Sequence, residues 1–129
     1  MRTYAREMAF CKVFESLFDS TTNVDGIYDF TSLNNEEDRE FATTLLNLCL
    51  EHKDEIEDTI SACLKDYSLQ RLYRVDRAIL CLAVAEIKYY KLTPFKIVIN
   101  EAVNLAKKYG TEKSYSFVNG ILKNIVEEN

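Results

Sequence analysis

Residues 69–90 read LQRLYRVDRAILCLAVAEIKYY, and their apolar side chains recur at intervals of three and four residues. This spacing is typical of a helix with a buried face, and a break is expected near Val75. Ser68 is placed to cap the helix at its start. The stretch is the most apolar in the chain, but its mainly apolar part is shorter than the roughly 20 residues that cross a bilayer and contains Glu86. It therefore predicts the central helix of a protein that does not span a membrane.

Three helices are predicted before this stretch. The first spans about residues 3–19 and is followed by a polar linker over residues 20–33. Asn34 stands three residues before a glutamate and is predicted to cap the second helix, and Asp54 repeats this signal for the third, which ends near Asp66. The side chains predicted to be buried in these helices and in the linker are Phe10, Val13, Phe14, Leu17, Phe18, Ile27, Tyr28, Phe30, Phe41, Leu45, Leu48, Cys49, Ile56, Ile60, Cys63 and Leu64.

Two further helices are predicted after it. Thr93 and Pro94 mark the start of one, because Thr is a good cap and Pro suits the first helical position. Gly110 ends this helix, and the last helix begins near Thr111. Together the patterns predict an all-α fold, a single compact domain of six or seven helices over residues 1–129. The side chains predicted to be buried here are Ile97, Val98, Ala102, Leu105, Tyr109, Phe117, Val118, Ile121, Leu122 and Ile125.

The composition agrees with a helical fold. The chain has 129 residues, 47% of them hydrophobic, with 3 Gly and 1 Pro, too few for the many tight turns of an all-β protein. A chain of this length buries a core without metal ions or disulfides, and no metal or cofactor is expected. No signal-peptide pattern opens the chain, so we expect a cytoplasmic protein. The cysteines lie far apart among apolar residues, which predicts buried thiols at Cys11, Cys49, Cys63 and Cys81.

The sequence offers few residues that are suited to catalysis. His52 is the one histidine of the chain and lies in an acidic stretch, and Cys49 nearby belongs to the apolar face of its own helix, so a Cys-His pair is disfavoured. Glu86 and Glu101 lie on otherwise apolar faces. They are either a general acid and base or structural acceptors for a buried arginine or for backbone amides, and the second interpretation is favoured. We therefore do not expect an enzyme.

The charge is distributed unevenly along the chain. The formal net charge is −5, but residues 15–66 hold 14 acidic residues against three basic ones, a net of −11, while residues 67–126 hold 10 basic residues against four acidic ones, a net of +6. Residues 1–14 carry a net of +2. The charges limit any docking of a polyanion to one face, but from the charge alone an ordinary solvated surface is the favoured interpretation. Aromatic residues near the bases offer stacking platforms for unpaired nucleotides: Tyr4, Tyr73, Tyr109, Tyr115 and Phe117.

Three segments, taken in order, resemble the NusB family of bacterial transcription antitermination factors. They are RLYRVDRAIL at residues 71–80 with the following Ala83 and Glu86, residues 94–109 with INEAV and LAKK, and FVNGIL at residues 117–122. The last motif is the most specific, and the resemblance covers essentially the whole chain.

The resemblance implies a fold of two small helical bundles packed across each other, here about residues 1–66 and 67–129. It implies a factor that binds the boxA segment of nascent RNA together with the ribosomal small-subunit protein that also serves as NusE. This complex joins other Nus factors on RNA polymerase and supports transcription of ribosomal RNA operons. No bond is made or broken in this role.

The resemblance also assigns site residues. The RNA-binding residues that it implies are Arg2, Tyr4, Arg6, Arg74, Lys113, Tyr115, Phe117 and Asn119. The residues that it implies for the partner protein are Phe14, Phe18, Asp76, Arg77 and Leu80. The apolar face of the first helix is expected to meet either this partner or a second copy of the chain in a homodimer. Many family members open with consecutive arginines, whereas Thr3, Tyr4 and Ala5 separate Arg2 from Arg6 here, which predicts weaker RNA binding with a flatter salt dependence.

Two other functions are compatible with this resemblance. One is a NusB-like helical module of a ribosomal RNA cytosine methyltransferase, which requires an additional cofactor-binding domain. The other is a helical adaptor that binds protein alone. The Phe-Val-Asn-Gly motif likewise has two interpretations, because Phe117 and Val118 are either RNA contacts or core, and Gly120 is explained by close helix packing if the motif serves the fold.

Overall fold

The computed structural model of the protein describes residues 2–18, 30, 33–65 and 68–127. These residues form six α-helices and no strand, so the prediction of an all-α fold is confirmed. None of the described helices is long and apolar enough to cross a membrane. The helices are α1 (Thr3–Phe18), α2 (Glu36–Glu51), α3 (Lys53–Ser61), α4 (Arg74–Ala85), α5 (Phe95–Tyr109) and α6 (Ser114–Glu127).

Helix α4 lies at the centre of the molecule and contacts all five other helices. Every residue from Ala78 to Ala85 is buried, as expected for a helix that is apolar all round. The break predicted near Val75 falls slightly earlier, because a 3₁₀ turn over Leu69–Arg71 is followed by extended backbone at Leu72 and α4 begins at Arg74. At its other end α4 continues as a π-helical segment, Glu86–Tyr90.

The residue that caps the start of α2 differs by one position from the prediction. Asn35, and not Asn34, is the capping residue, because its Oδ1 accepts hydrogen bonds from the backbone N–H groups of Glu37 (2.7 Å) and Asp38 (3.3 Å). Two adjacent asparagines offer the same side chain, and the geometry of the first helical turn decides between them. The prediction was therefore wrong by one residue.

The other helix boundaries need similar small corrections. Helix α3 begins one residue before Asp54, after His52, and ends at Ser61. Pro94, and not Thr93, precedes the first residue of α5, and its carbonyl accepts the N–H groups of Ile97 (3.0 Å) and Val98 (3.2 Å). Gly110 ends α5 as predicted, but α6 begins at Ser114 rather than near Thr111. The predicted end at Asp19 lies outside the described residues, whereas the prediction that the third helix ends near Asp66 is wrong, because residues 62–65 are described and are not helical.

The buried apolar side chains form one core. Most of the predicted core residues belong to it, and from the linker Phe30 is buried, whereas Ile27 and Tyr28 lie outside the described residues. Ile97 is wrong as a core prediction, because its side chain is 48% exposed at the start of α5. The predicted core residues that are instead half-buried against the core are Phe14, Leu17, Phe18, Leu48, Leu64, Tyr109 and Phe117. The division of the chain near residue 66 stays a prediction.

All four cysteines are free, and three of them are buried. The prediction of buried thiols is confirmed for Cys49, Cys63 and Cys81, whereas Cys11 is half-buried. Burial raises the pKa of Cys81 to about 12, and the pKa of Cys49 is raised for the same reason. The Cys49 thiol contacts the Cys81 backbone carbonyl at 3.7 Å and so joins α2 to α4.

Candidate nucleic-acid interface

Arg6, one of the predicted RNA contacts, lies inside the molecule. Its guanidinium donates through Nε and Nη2 to the Glu86 carboxylate at 2.8 and 2.6 Å, and Nη1 lies 3.5 Å from Glu101 Oε1. Burial alone would lower the pKa of Arg6, because it disfavours the charged guanidinium. The hydrogen bond and the negative charge of Glu86, and then the charge of Glu101, outweigh this effect, so the pKa of Arg6 is raised. Glu86 and Glu101 are thus structural acceptors for a buried arginine, as predicted. Arg6 is 7% exposed and offers no free surface to a phosphate.

Arg2 and Tyr4 lie on the outer side of the same turn. Arg2 donates to the Tyr90 hydroxyl at 2.9 Å, and its guanidinium carbon lies 4.5 Å from the centre of the Phe41 ring. Thr3 donates to Glu101 Oε1 at 2.8 Å and so holds the turn against α5. Tyr4 is exposed. Within this turn the exposed surface consists of Thr3 and Tyr4, with part of Arg2.

Glu7 ties α1 to the end of α5. Its carboxylate accepts hydrogen bonds from Lys108 Nζ (2.6 Å) and from the Tyr109 hydroxyl. Partial burial works against ionisation, but these two hydrogen bonds lower the pKa of Glu7. Because α5 ends at Tyr109, the contact also fixes where the chain turns into α6.

Two of the predicted RNA contacts, Lys113 and Phe117, line a groove between the start of α4 and the start of α6. This α4–α6 groove has a volume of about 660 Å³. Among the lining residues that the resemblance did not assign to RNA are a basic residue in the 3₁₀ turn, Arg71, and an exposed aromatic ring, Tyr73. Its lining residues are Arg71, Leu72, Tyr73, Asp76, Glu112, Lys113, Ser116 and Phe117.

Asp76, predicted to contact the partner protein, also lines the α4–α6 groove. Its side chain is buried, and burial raises the pKa of its carboxyl group against the effect of a hydrogen bond with Ser114. Its Oδ1 atom has no hydrogen-bond partner within the described part of the chain. This oxygen is itself buried, so it is an unsatisfied acceptor inside the fold and not a group that the groove offers to a ligand.

The other two predicted contacts of α6, Tyr115 and Asn119, line a second groove between α5 and α6. This α5–α6 groove has a volume of about 780 Å³. Tyr115 is 46% exposed, and the Lys107 ammonium lies 5.5 Å from the centre of its ring. The lining residues are Phe95, Lys96, Ile99, Asn100, Val103, Tyr115, Ser116, Asn119, Lys123, Val126 and Glu127. An exposed ring beside lysines suits stacking of an unpaired base next to its phosphate.

Arg74 does not line either groove. Its guanidinium lies 5.4 Å from the centre of the Phe18 ring, and that of Arg77 lies 5.5 Å from the same ring. Arg77 also pairs with Glu57 at 3.2 Å. The structure therefore places Arg74, predicted for RNA, beside two residues predicted for the partner protein.

The remaining predicted partner contacts differ in accessibility. Phe14 is half-buried, and its ring centre lies 5.2 Å from that of Phe18, so the two rings form one patch at the end of α1. Leu80 is fully buried in α4 and has no surface for a partner to touch.

The geometry around His52 does not form a catalytic pair. Its ring stacks on Tyr89 with the centres 3.8 Å apart, and its Nδ1 lies 2.9 Å from Glu55 Oε2. Cys49 instead points into the core toward α4. Among the residues that the structure describes, no cluster of three or more His, Cys, Asp and Glu side chains is arranged to hold a metal ion.

These features define a small all-α protein with two open grooves edged by lysines and aromatic rings, a class suited to binding unpaired nucleic acid. The model of the NusB family matches residues 3–127, and the chain belongs to this family.

Relatives match over nearly the full length. The transcription antitermination protein NusB of Finegoldia magna is 37% identical over 128 residues, which cover 98% of the chain and 93% of the relative. That of Shouchella clausii is 38% identical over 122 residues, which cover 92% of each chain.

Solved structures match equally well. The structure of T. maritima NusB superposes with a TM-score of 0.89 at 35% identity, and the match covers 100% of this chain and 92% of that one. A crystal structure of the antitermination factors NusB and NusE in complex with dsRNA superposes with a TM-score of 0.86 at 31% identity, covering 99% of this chain and 97% of that one.

Proposed function

We propose that this protein is a transcription antitermination factor that binds RNA together with the ribosomal small-subunit protein that serves as NusE. The observation that carries the proposal is the similarity, over 99% of the chain, to a protein solved with NusE and RNA. The RNA is of the boxA type, and the complex supports transcription of ribosomal RNA operons with other Nus factors on RNA polymerase. The role is non-catalytic and cytoplasmic.

The start of α6 is the main RNA-binding surface in this proposal. Lys113 and Tyr115 are exposed, and Phe117 and Asn119 are partly exposed, on the walls of the two grooves. Tyr4 adds an exposed ring at the start of α1, whereas Arg6 is excluded because its guanidinium is occupied by two carboxylates. The aromatic rings stack on bases while the lysines neutralise phosphates.

The partner protein binds the patch at the end of α1. Phe14 and Phe18 are half-buried there, and Arg77 lies against Phe18 with its charge held by Glu57. A second copy of the chain is the competing occupant of this patch, which sedimentation of the free protein and of the mixture with NusE distinguishes. A stable homodimer that NusE does not dissociate contradicts the assignment.

RNA titration tests the function. A boxA-like RNA of about 12 nucleotides is titrated with the protein, with and without the NusE partner, at several salt concentrations. We expect sequence-selective binding that strengthens when the partner is present and weakens as salt rises. A scrambled RNA of the same composition is the matched control. Equal affinity for both RNAs, or no binding even with the partner, contradicts the proposal, and tight partner binding that RNA does not affect favours the adaptor function instead.

A further inference from the structure

An apolar strip runs along the α5–α6 groove. It consists of Phe95, Ile99 and Val103, which share one face of α5 at intervals of four residues, and of Val126 on α6. Phe95 is 45% exposed, and the two valines are half-buried against the core. Because a short turn joins α5 to α6, the two helices run antiparallel, and Phe95 lies at the opposite end of the groove from Tyr115.

Two lysines edge the apolar strip, one on each helix. Lys96 belongs to α5 and Lys123 to α6, and both are exposed and line the groove. Among the described residues, neither ammonium group forms an ion pair with a carboxylate. The one acidic residue among the described residues that line this groove is Glu127, at the end of α6. The groove therefore combines an apolar floor with a positively charged rim.

An acidic amphipathic helix matches this combination. Such a helix lays its apolar side chains, spaced by three and four residues, into a groove of another protein. From Phe95 to Val103 the strip extends about 12 Å along α5, which is the length of about two helical turns. Acidic side chains on the two flanks of the bound helix then reach Lys96 on one wall and Lys123 on the other, so the charges are complementary.

Other occupants fit the apolar strip less well. Aliphatic side chains offer bases neither a stacking surface nor hydrogen bonds, so the strip suits RNA less than the Tyr115 end of the groove does. A second copy of the chain carries acidic helices, but the apolar residues of α2 and α3, such as Leu45 and Ile60, lie in its own core. The patch proposed for NusE is formed by Phe18 and its neighbours on α1 and α4, away from α5 and α6.

We propose that the α5–α6 groove binds an acidic amphipathic helix of a protein other than NusE. The apolar side chains of this helix pack on the strip, and its carboxylates pair with Lys96 and Lys123. The inference goes beyond the proposed function, because it adds a protein partner and does not depend on RNA. Since Tyr115 lies at the opposite end of the groove from Phe95, RNA at Tyr115 and the helix on the strip are bound at the same time.

A designed peptide is the probe for this groove. It has about 14 residues, with leucines spaced by three and four residues, glutamates on both flanks of the leucine face, and a fluorescent label. The full-length protein is titrated into the peptide, and fluorescence anisotropy measures binding. The matched control peptide has lysine in place of each glutamate and keeps the leucines. We expect the acidic peptide to bind at least about tenfold more tightly than the basic one, because the rim of the groove is positively charged.

Two substitutions locate the peptide on the protein. Phe95→Ala removes an apolar anchor and Lys123→Glu reverses a rim charge, and each is expected to weaken binding of the acidic peptide about tenfold. Leu92→Ala is the control for the first, because Leu92 is 79% exposed and does not line the groove. Lys65→Glu is the control for the second, at an exposed position outside the groove. All four positions are exposed, so we expect every variant to keep the wild-type circular dichroism spectrum.

Competition identifies the occupant. We expect neither the boxA-like RNA nor NusE to displace the acidic peptide, and Phe95→Ala to leave RNA affinity unchanged. Displacement by RNA, or a loss of RNA affinity in Phe95→Ala, assigns the groove to RNA, and displacement by NusE assigns it to that partner. A dimer of the protein that the peptide dissociates assigns the groove to a second copy. Each of these results overturns the inference, as does equal affinity for the two peptides or for the wild type and Phe95→Ala. The proposed function is tested separately, by RNA binding in the absence of the peptide.

Discussion

The starts of α1 and α6 both carry basic and aromatic residues that the family resemblance assigns to RNA, but the structure treats them differently. At the start of α1, Arg6 is held by Glu86 and Glu101. At the start of α6, Lys113 is exposed and Tyr115 stands open beside Lys107. A basic residue contributes to a binding surface only where the fold leaves it without a buried carboxylate. We therefore propose that the start of α1 mainly stabilises the molecule and that the start of α6 mainly binds.

The largest expected effect concerns the interior role of α1. Arg6→Ala leaves the buried Glu86 carboxylate without its partner and removes one of the partners of the half-buried Glu101. We expect it to lower the free energy of unfolding by about 3–5 kcal/mol. Urea unfolding measures this change. The exposed Arg71→Ala is the control and is expected to change stability by less than about 0.5 kcal/mol. If Arg6→Ala keeps the wild-type stability but loses RNA affinity, the contrast between the two helix starts is wrong.

Phe117 tests the binding role of α6. We expect Phe117→Ala to cost about 1–3 kcal/mol of RNA binding free energy, because the ring is replaced by a methyl group that does not stack on a base. Phe117→Leu is the matched variant, since it keeps apolar packing without a ring and is expected to lose nearly as much RNA affinity with a smaller loss of stability. A fall in melting temperature at unchanged RNA affinity of the folded protein assigns Phe117 to the core.

A substitution at Gly110 tests whether close packing against Ser114 positions the start of α6. A Cβ atom at Gly110 would collide with Ser114 and lie 2.7 Å from the Ala106 carbonyl oxygen. We therefore expect Gly110→Ala to destabilise the fold by about 1–3 kcal/mol in urea unfolding. Gly120→Ala is the natural comparison, because a Cβ atom built at Gly120 meets no described atom within 4 Å and the same substitution one helix later is expected to stabilise. Equal effects at both glycines contradict the packing difference.

The smallest expected effect is on salt dependence. In the proposed interface, replacing Lys113 with Gln removes one phosphate contact, so the slope of log affinity against log salt is expected to become flatter by about 0.7. Lys53→Gln, in the acidic half of the chain and 4.0 Å from Glu57, is the matched control and leaves the slope unchanged. An unchanged slope for Lys113→Gln removes this residue from the RNA surface.

Periodicity predicted the helices well, because the core is built from residues at helical spacing, as in α4 and α6. It did not place helix ends to the residue, since Asn34 and Asn35 are chemically equivalent until the first turn of α2 selects one. Ile97 shows a further limit, because it keeps helical spacing in α5 and is nevertheless exposed.

The site was less predictable for a different reason. The residues around Glu86 and Glu101 indicated a buried cationic partner, but this partner is Arg6, which lies 80 residues before Glu86 in the chain. Motif resemblance transfers a residue's role without its neighbours, and so assigned Arg6 to RNA. The separation of Tyr115 and Phe117 into two grooves likewise depends on what packs on each side of α6.

The buried cysteines Cys49 and Cys81 make it possible to measure how fast the core opens, without adding a label to the protein. Both thiols are buried, and that of Cys49 lies against the backbone of α4, so a thiol-specific reagent modifies them only after the helices around them separate. At high reagent concentration the modification rate equals the opening rate, and at low concentration it reports the free energy of opening. Cys11 is half-buried and reacts first, which leaves the later phases to the interior.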